Sequence, residues 1–210
     1  MCKIQLLTLL FFLTLTFNLK SQTIEIIPQT NYTIGGKIYS RFGELNISDS
    51  ESYGLSVNII PQPNVSFQVE YFYQPTIGEY RDYFAPAEFN QNSDLRISWL
   101  QLGVRRRFEI QEKVVPFGGA SIGLTNFDLD STPTSYDEWA LSFALQAGVN
   151  VYLSKILGLR FHGRILTPIQ FEGFGFYAGT GGAAVGASAG SYFIQGDFGV
   201  GLVIRLGKDG

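Results

Sequence analysis

A chain of 210 residues fits one domain, and its single cysteine, Cys2, excludes an internal disulfide framework. Its 15 basic residues fall to 13 without Lys3 and Lys20, against 18 acidic ones, and the resulting net charge of −5 argues against a nucleic-acid partner. Twenty-four glycines and 15% aromatic residues, with no apolar stretch after the N-terminus long enough for a spanning helix, point to a chain of strands.

The first residues read as a targeting segment. Met1-Cys2-Lys3 is followed by an apolar run from Ile4 to Phe17 and then Asn18-Leu19-Lys20-Ser21. A short basic start, a hydrophobic stretch and a small residue at Ser21 form the pattern of a secretory signal peptide, cut between Ser21 and Gln22. A membrane anchor would need roughly twenty apolar residues, more than this run supplies. Residues 1–21 are thus expected to leave, Cys2 with them, and residues 22–210 to form one cysteine-free domain.

Alternation of apolar with small or polar residues then marks eight strands. The first, Asn31 to Phe42, sets Tyr32, Ile34, Gly36, Ile38, Ser40 and Phe42 against Thr33, Gly35, Lys37, Tyr39 and Arg41. The second, Ser52 to Ile60, sets Tyr53, Leu55, Val57 and Ile59 against Gly54, Ser56 and Asn58. The third, Val65 to Tyr73, has Ser66, Gln68 and Glu70 on its polar face. The fourth, Leu95 to Phe108, changes phase: Leu95, Ile97 and Trp99 alternate out of step with Leu100, Leu102, Val104 and Phe108. A β-bulge near Trp99 would reconcile the two halves, because one extra residue flips every later side chain. The fifth, Val114 to Thr125, is Gly-rich and its register is ambiguous.

The sixth strand is the clearest. From Trp139 to Leu153 every odd residue is large and apolar or alanine, and the even ones (Ala140, Ser142, Ala144, Gln146, Gly148, Asn150, Tyr152) are mostly small or polar. It is also longer than the roughly 9–11 residues with which a tilted strand crosses a bilayer. The seventh, Leu157 to Thr167, sets Leu159, Phe161 and Ile165 against Arg160, His162 and Arg164. The eighth, Tyr192 to Leu206, sets Ile194, Phe198, Val200, Leu202, Ile204 and Leu206 against Gln195, Asp197, Gly199, Gly201 and Arg205.

The links supply an independent check. Those after strands two, four and six are short: Pro61 to Asn64, Glu109 to Lys113, and Ser154 to Ile156. Those after strands one, three, five and seven are long: Gly43 to Glu51, Gln74 to Asp94, Asn126 to Glu138, and Pro168 to Ser191. Short periplasmic turns opposite long extracellular loops are the habit of outer-membrane barrels. A secreted soluble barrel or sandwich would instead bury the apolar face. The Gly, Ala and Ser of the other face suit the crowded interior of a narrow membrane barrel better.

In this architecture the mature chain resembles the small eight-stranded outer-membrane barrels, the OmpA/OmpX/OmpW-like group within the porin superfamily. In that family the last strand carries the assembly signal, and Gly201-Leu202-Val203-Ile204-Arg205-Leu206 keeps its spacing of a glycine, then apolar positions. It departs in ending on Leu206 rather than an aromatic residue and in the trailing Lys208-Asp209-Gly210. The resemblance implies an all-β, eight-stranded antiparallel up-and-down transmembrane β-barrel in the cell outer membrane. It also implies contact with outer-membrane lipid, handling by the barrel-assembly machinery through the C-terminal strand, and a monomer.

The candidate site is the set of inward charges. These registers point Lys37, Arg41, Arg105, Arg107, Arg160, Arg164 and Arg205 inward, answered only by Glu70 and Asp197. Two readings stand: a ladder of ion pairs filling a lumen too narrow for passage, or a thin wet path favouring small anionic solutes. His162, the only histidine, reads as a lumen hydrogen-bonder. Lipid-modifying barrel enzymes that work as serine hydrolases need a Ser beside the His, and the residue two after His162 is Arg164, which leaves only Ser142 on the neighbouring strand.

The long links are acidic, with Glu44, Asp49, Glu51, Glu79, Asp82, Glu88, Asp128, Asp130, Asp137, Glu138 and Glu172 against Arg81, which reads as a solvated rim. Asp128-Leu129-Asp130 begins like a calcium loop, but Pro133 takes the glycine position, so no metal site is assigned. Gly173 to Ala184 lacks the Lys-Ser/Thr of a phosphate cradle, so no cofactor is assigned. Tyr80, Tyr83, Phe84, Phe174, Phe176 and Tyr177 read as an interfacial aromatic girdle or as anchors for an extracellular ligand. The expectation is a non-enzymatic structural or surface-binding barrel, with a narrow pore as the alternative.

Overall fold

In the computed structural model, residues 23–39, 43–82, 91–108, 113–130, 136–179, 182–192 and 194–207 are described. The signal segment, Arg41, Tyr83, Phe84, Glu88 and the trailing Lys208-Asp209-Gly210 lie outside them. The strands are β1 (Thr23–Ile34), β2 (Gly36–Tyr39), β3 (Gly43–Ile47), β4 (Ser50–Gln62), β5 (Val65–Asp82), β6 (Gln91–Arg107), β7 (Val114–Asp130), β8 (Tyr136–Tyr152), β9 (Leu157–Gly179), β10 (Gly182–Tyr192) and β11 (Gln195–Leu206). Eight of them, β1, β4, β5, β6, β7, β8, β9 and β11, pair antiparallel in that order. The ring closes where β1 meets β11, from Ile24↔Leu206 to Ile34↔Gly196. This is the expected eight-stranded up-and-down barrel.

The outer surface is apolar. Trp139 and Leu145 on β8 and Leu153 just beyond it are 62%, 63% and 64% exposed, and Phe67, Leu102, Phe198 and Ile165 on other strands are exposed too. A continuous apolar surface of this kind cannot face water, and a bilayer is the solvent it fits.

Four details differ from the expectation. The first strand begins at Thr23 rather than Asn31, with Glu25, Ile27 and Gln29 already inside the barrel. Pro28 hides this, because a proline normally marks the end of a strand. It is accommodated here between Ile26 and Gln29, where the pairing with β11 is interrupted while that with β4 continues.

Second, β6 has no bulge at Trp99. Its register is unbroken against β5 (Val65↔Arg106 to Tyr80↔Gln91) and against β7 (Asp94↔Asp130 to Arg107↔Phe117). Leu95, Ile97 and Trp99 simply point inward, in step with Gln101 and Arg105, so the interior itself changes from polar to apolar along the strand.

Third, Lys37 is exposed, not lumenal. Inward residues are odd-numbered on β1 (Asn31, Thr33), but Ile47 on β3 is buried inside and its partner across the ladder is Gly36. Paired residues share a face, so the phase has flipped by β2 and Lys37 faces out. The flip occurs at Gly35 and Ser48-Asp49, between the two ladders. A side chain at Gly35 would put its Cβ 2.0 Å from the Ile47 carbonyl oxygen, so only glycine fits there. Asp49 clasps the corner: its carboxylate accepts from the Gly35 amide (2.7 Å) and from the Tyr32 hydroxyl (2.9 Å).

Fourth, much of what reads as loop is strand. β5 pairs with β6 out to Tyr80↔Gln91, β7 with β8 to Leu129↔Tyr136, and β9 with β10 to Gly179↔Gly182. In these extensions polar residues such as Glu79, Asn126 and Asp128 stand on the outward face, so the alternation of apolar and polar positions fades from the sequence.

A layered lumen as the candidate functional site

The side chains inside the barrel form three layers. At the end of the long links they are apolar: Phe72, Leu95, Ile97, Trp99, Phe127 and Leu166 pack together with Ile47, Ala140 and Ala144. The Phe72 and Trp99 rings stack, centroids 5.4 Å apart and planes 11° from parallel. At the end of the short turns Ile27, Val115, Tyr152 and Val203 make a smaller cluster.

Between them lies a polar layer centred on Arg164. Its Nε donates to both Asp197 oxygens (2.9 and 3.0 Å), its Nη2 to Asp197 Oδ2 (2.5 Å) and its Nη1 to Glu70 Oε1 (2.5 Å). One guanidinium from β9 thus ties β5 to β11 across the lumen, and its flat face lies 4.1 Å from the centre of the Phe72 ring, where the polar layer meets the apolar one. Glu70 also accepts from Gln68 Nε2 (2.7 Å) and from the Gln29 amide, and Gln146 donates to Gln68 at 2.6 Å. Arg164, Asp197 and Glu70 are all at most 4% exposed. Buried ions of this kind persist only when both charge and hydrogen bonds are answered.

A second network surrounds Glu25, nearer the periplasm. The Tyr152 hydroxyl donates to Glu25 at 2.6 Å, Arg205 Nη2 at 3.3 Å and Asn58 Nδ2 at 3.4 Å, and Arg160 Nη2 stands 4.0 Å away. Arg105 donates to the Asn58 carbonyl oxygen, Arg160 Nε to Asn150 Oδ1 (3.0 Å) and Arg107 Nη2 to the Tyr152 oxygen (3.2 Å). The Arg105 and Arg160 guanidinium groups both stand over the Phe117 ring, 4.9 and 5.1 Å from its centre, which offsets part of the cost of two buried cations.

Of the residues singled out in the sequence, Glu70, Arg164 and Asp197 meet in one cluster, while Arg160 and Arg205 belong to the other. Lys37 belongs to neither. The sequence reading missed Glu25, so three carboxylates rather than two answer the arginines; the residues on either side, Ile24 and Ile26, carry the alternation that would have found it. It also missed Tyr152 and Asn58 as partners, because uncharged hydrogen-bonders are common on a lumenal face and nothing marks these two.

His162 is buried, with both ring nitrogens unbonded, packed beside Asn31 over Gly199; a Cβ at Gly199 would stand 2.0 Å from Asn31 Oδ1 and 2.6 Å from the imidazole. Ser142 does not join it. The Ser142 oxygen accepts from Gln101 Nε2 at 2.6 Å, and its neighbour across the ladder is Pro168, whereas His162 lies opposite Gly148. Six residues along a strand is about 20 Å. Among the described residues no group of three or more His, Cys, Asp or Glu side chains converges on one point.

Residues 9–171 match the family described as outer membrane protein beta-barrel domain. No curated protein matches the chain by sequence. Among solved structures, the barrel is similar to Neisserial surface protein A, with a TM-score of 0.56 at 15% identity over 86% of this chain and 96% of that one. It is similar also to the outer membrane protein AlkL in lipid bilayers, with a TM-score of 0.51 at 13% identity over 91% and 92%. At such identities the likeness is one of fold.

Proposed function

Because the chain belongs to the outer membrane protein β-barrel family, we propose that it is a non-conducting outer-membrane barrel whose work is done at its extracellular end, as a structural or surface-binding protein. The observation that carries this reading is the Phe72–Trp99 layer over the Glu70–Arg164–Asp197 cluster. An apolar layer above a bonded ionic one offers an ion neither water nor a continuous row of polar groups. The long paired extensions of β5 to β9 give the extracellular end a rigid platform, on which a hairpin of β2 and β3 lies against β5. No catalytic role is assigned, in keeping with a Ser142 oxygen held by Gln101 far from His162.

The excess of arginine around Glu25 favours a second reading, a narrow path for small anions. Swelling of proteoliposomes separates the two. Vesicles holding the refolded protein should swell no faster than empty ones in isotonic glycine or in potassium chloride with valinomycin, and swelling at a porin-like rate would favour the path.

A further inference from the structure

The lumenal charges are unevenly divided. Among the described residues the cluster towards the extracellular end holds one guanidinium, Arg164, against two carboxylates, Glu70 and Asp197. The periplasmic half holds four, Arg105, Arg107, Arg160 and Arg205, against Glu25 alone. Two of these four converge on one side chain. Arg107 bonds the Tyr152 oxygen at 3.2 Å, and the Arg205 Cζ stands over the Tyr152 ring, 4.0 Å from its centre. Among the described residues the Nε of each has no hydrogen-bond partner, although Arg107 is only 6% exposed. Arg107 and Arg205 both line a recess of about 310 Å3 at the periplasmic mouth, with Thr23, Ile60, Pro61, Gln62 and Pro63. An unanswered N–H on a buried cation is costly unless an anion or water meets it. Guanidinium forks match the paired oxygens of phosphate and carboxylate.

We infer that this recess is an oxyanion site, open to the periplasm, in which Arg107 and Arg205 bind a phosphate group. The ligand enters from the side of the short turns and does not cross the lumen, since the Arg164 cluster and the Phe72–Trp99 layer lie beyond it. The recess has room for a phosphate ester as well as a bare phosphate, so the group is supplied either by a free solute or by a lipid headgroup of the inner leaflet.

The test is by NMR of arginine Nε–H signals, with the full mature chain refolded in a maltoside micelle that contains no phosphate. Titrated with inorganic phosphate, and separately with a short-chain phosphatidylglycerol, the Arg107 and Arg205 signals should shift saturably while that of Arg164, already bound to Asp197, stays in place. A response to inorganic phosphate assigns a free solute and a response only to the lipid assigns a headgroup; both support the site. Arg107→Gln and Arg205→Gln should each weaken the response of the remaining arginine about tenfold or more, the loss of a charge-assisted bond. Unmoved Arg107 and Arg205 signals in both titrations would overturn the site, as would equal shifts in chloride at matched ionic strength. The wild-type titration stands whether or not the variants fold.

Discussion

Arg164 places four hydrogen bonds on carboxylates from two other strands, so removing it leaves Glu70 and Asp197 buried without a counter-charge. Breaking a buried ion pair from one side costs about 3–5 kcal/mol. Arg164→Met should lower stability by that amount in urea unfolding from vesicles, and adding Glu70→Gln and Asp197→Asn should recover most of it. An unchanged midpoint for the single variant would remove the cluster from the account. Asp49 makes a different prediction. The Gly35 amide, and after it the Tyr32 hydroxyl, stabilise its carboxylate and hold it below its ordinary value of 3.8. A depressed folded value means that the clasp is complete above 3.8 and fades as pH falls through the lower folded value. The Gly35 amide shift should therefore titrate with a midpoint below 3.8, and a midpoint at or above it would contradict the clasp. At this scale the sequence was legible where a charge interrupts a clean alternation, as at Glu70, Arg164 and Asp197. It was illegible at Glu25, behind Pro28, and it misled at Lys37, where alternation runs on through Gly35 although the phase of the strand has flipped.

For β8 the two faces are fixed by the pairing with β7 and β9, and both neighbours keep a constant register. Leu145 stands near the middle of its outward row, and Leu145→Arg should cost about 2–4 kcal/mol, the price of a cation on a lipid face. The same change at Asn64, in an exposed turn, should be neutral; equal effects at the two sites would contradict the assignment of faces. The β2–β3 hairpin lies outside the barrel ring. Replacing Lys37–Asn46 by an Asn-Gly turn between Gly36 and Ile47, which already face each other across the ladder, should leave the heat-modifiable gel shift of the folded barrel intact. Strands crossing the membrane were legible because one side is lipid and the other is not. Their extensions were not, because polar residues such as Glu79, Asn126 and Asp128 replace apolar ones on the outward face, and β6 resembled a bulged strand only because its upper interior is apolar.

The whole molecule combines an apolar outside with an interior layered from arginine-rich at the periplasmic mouth to aromatic at the extracellular end. The eight strands follow from alternation and from the parity of short and long links, and the family match and the fold agree with them. The layering does not follow from any single strand, because it exists only once residues far apart in the chain, such as Phe72 and Trp99, share a height in the barrel. It is also what the functional reading depends on. Single-channel recording in planar bilayers tests it most directly, comparing the wild-type chain with a Phe72→Ala/Trp99→Ala variant. The account predicts no conductance steps from the folded wild type and small steps once the aromatic layer is removed; steady steps of the same size from both would contradict it.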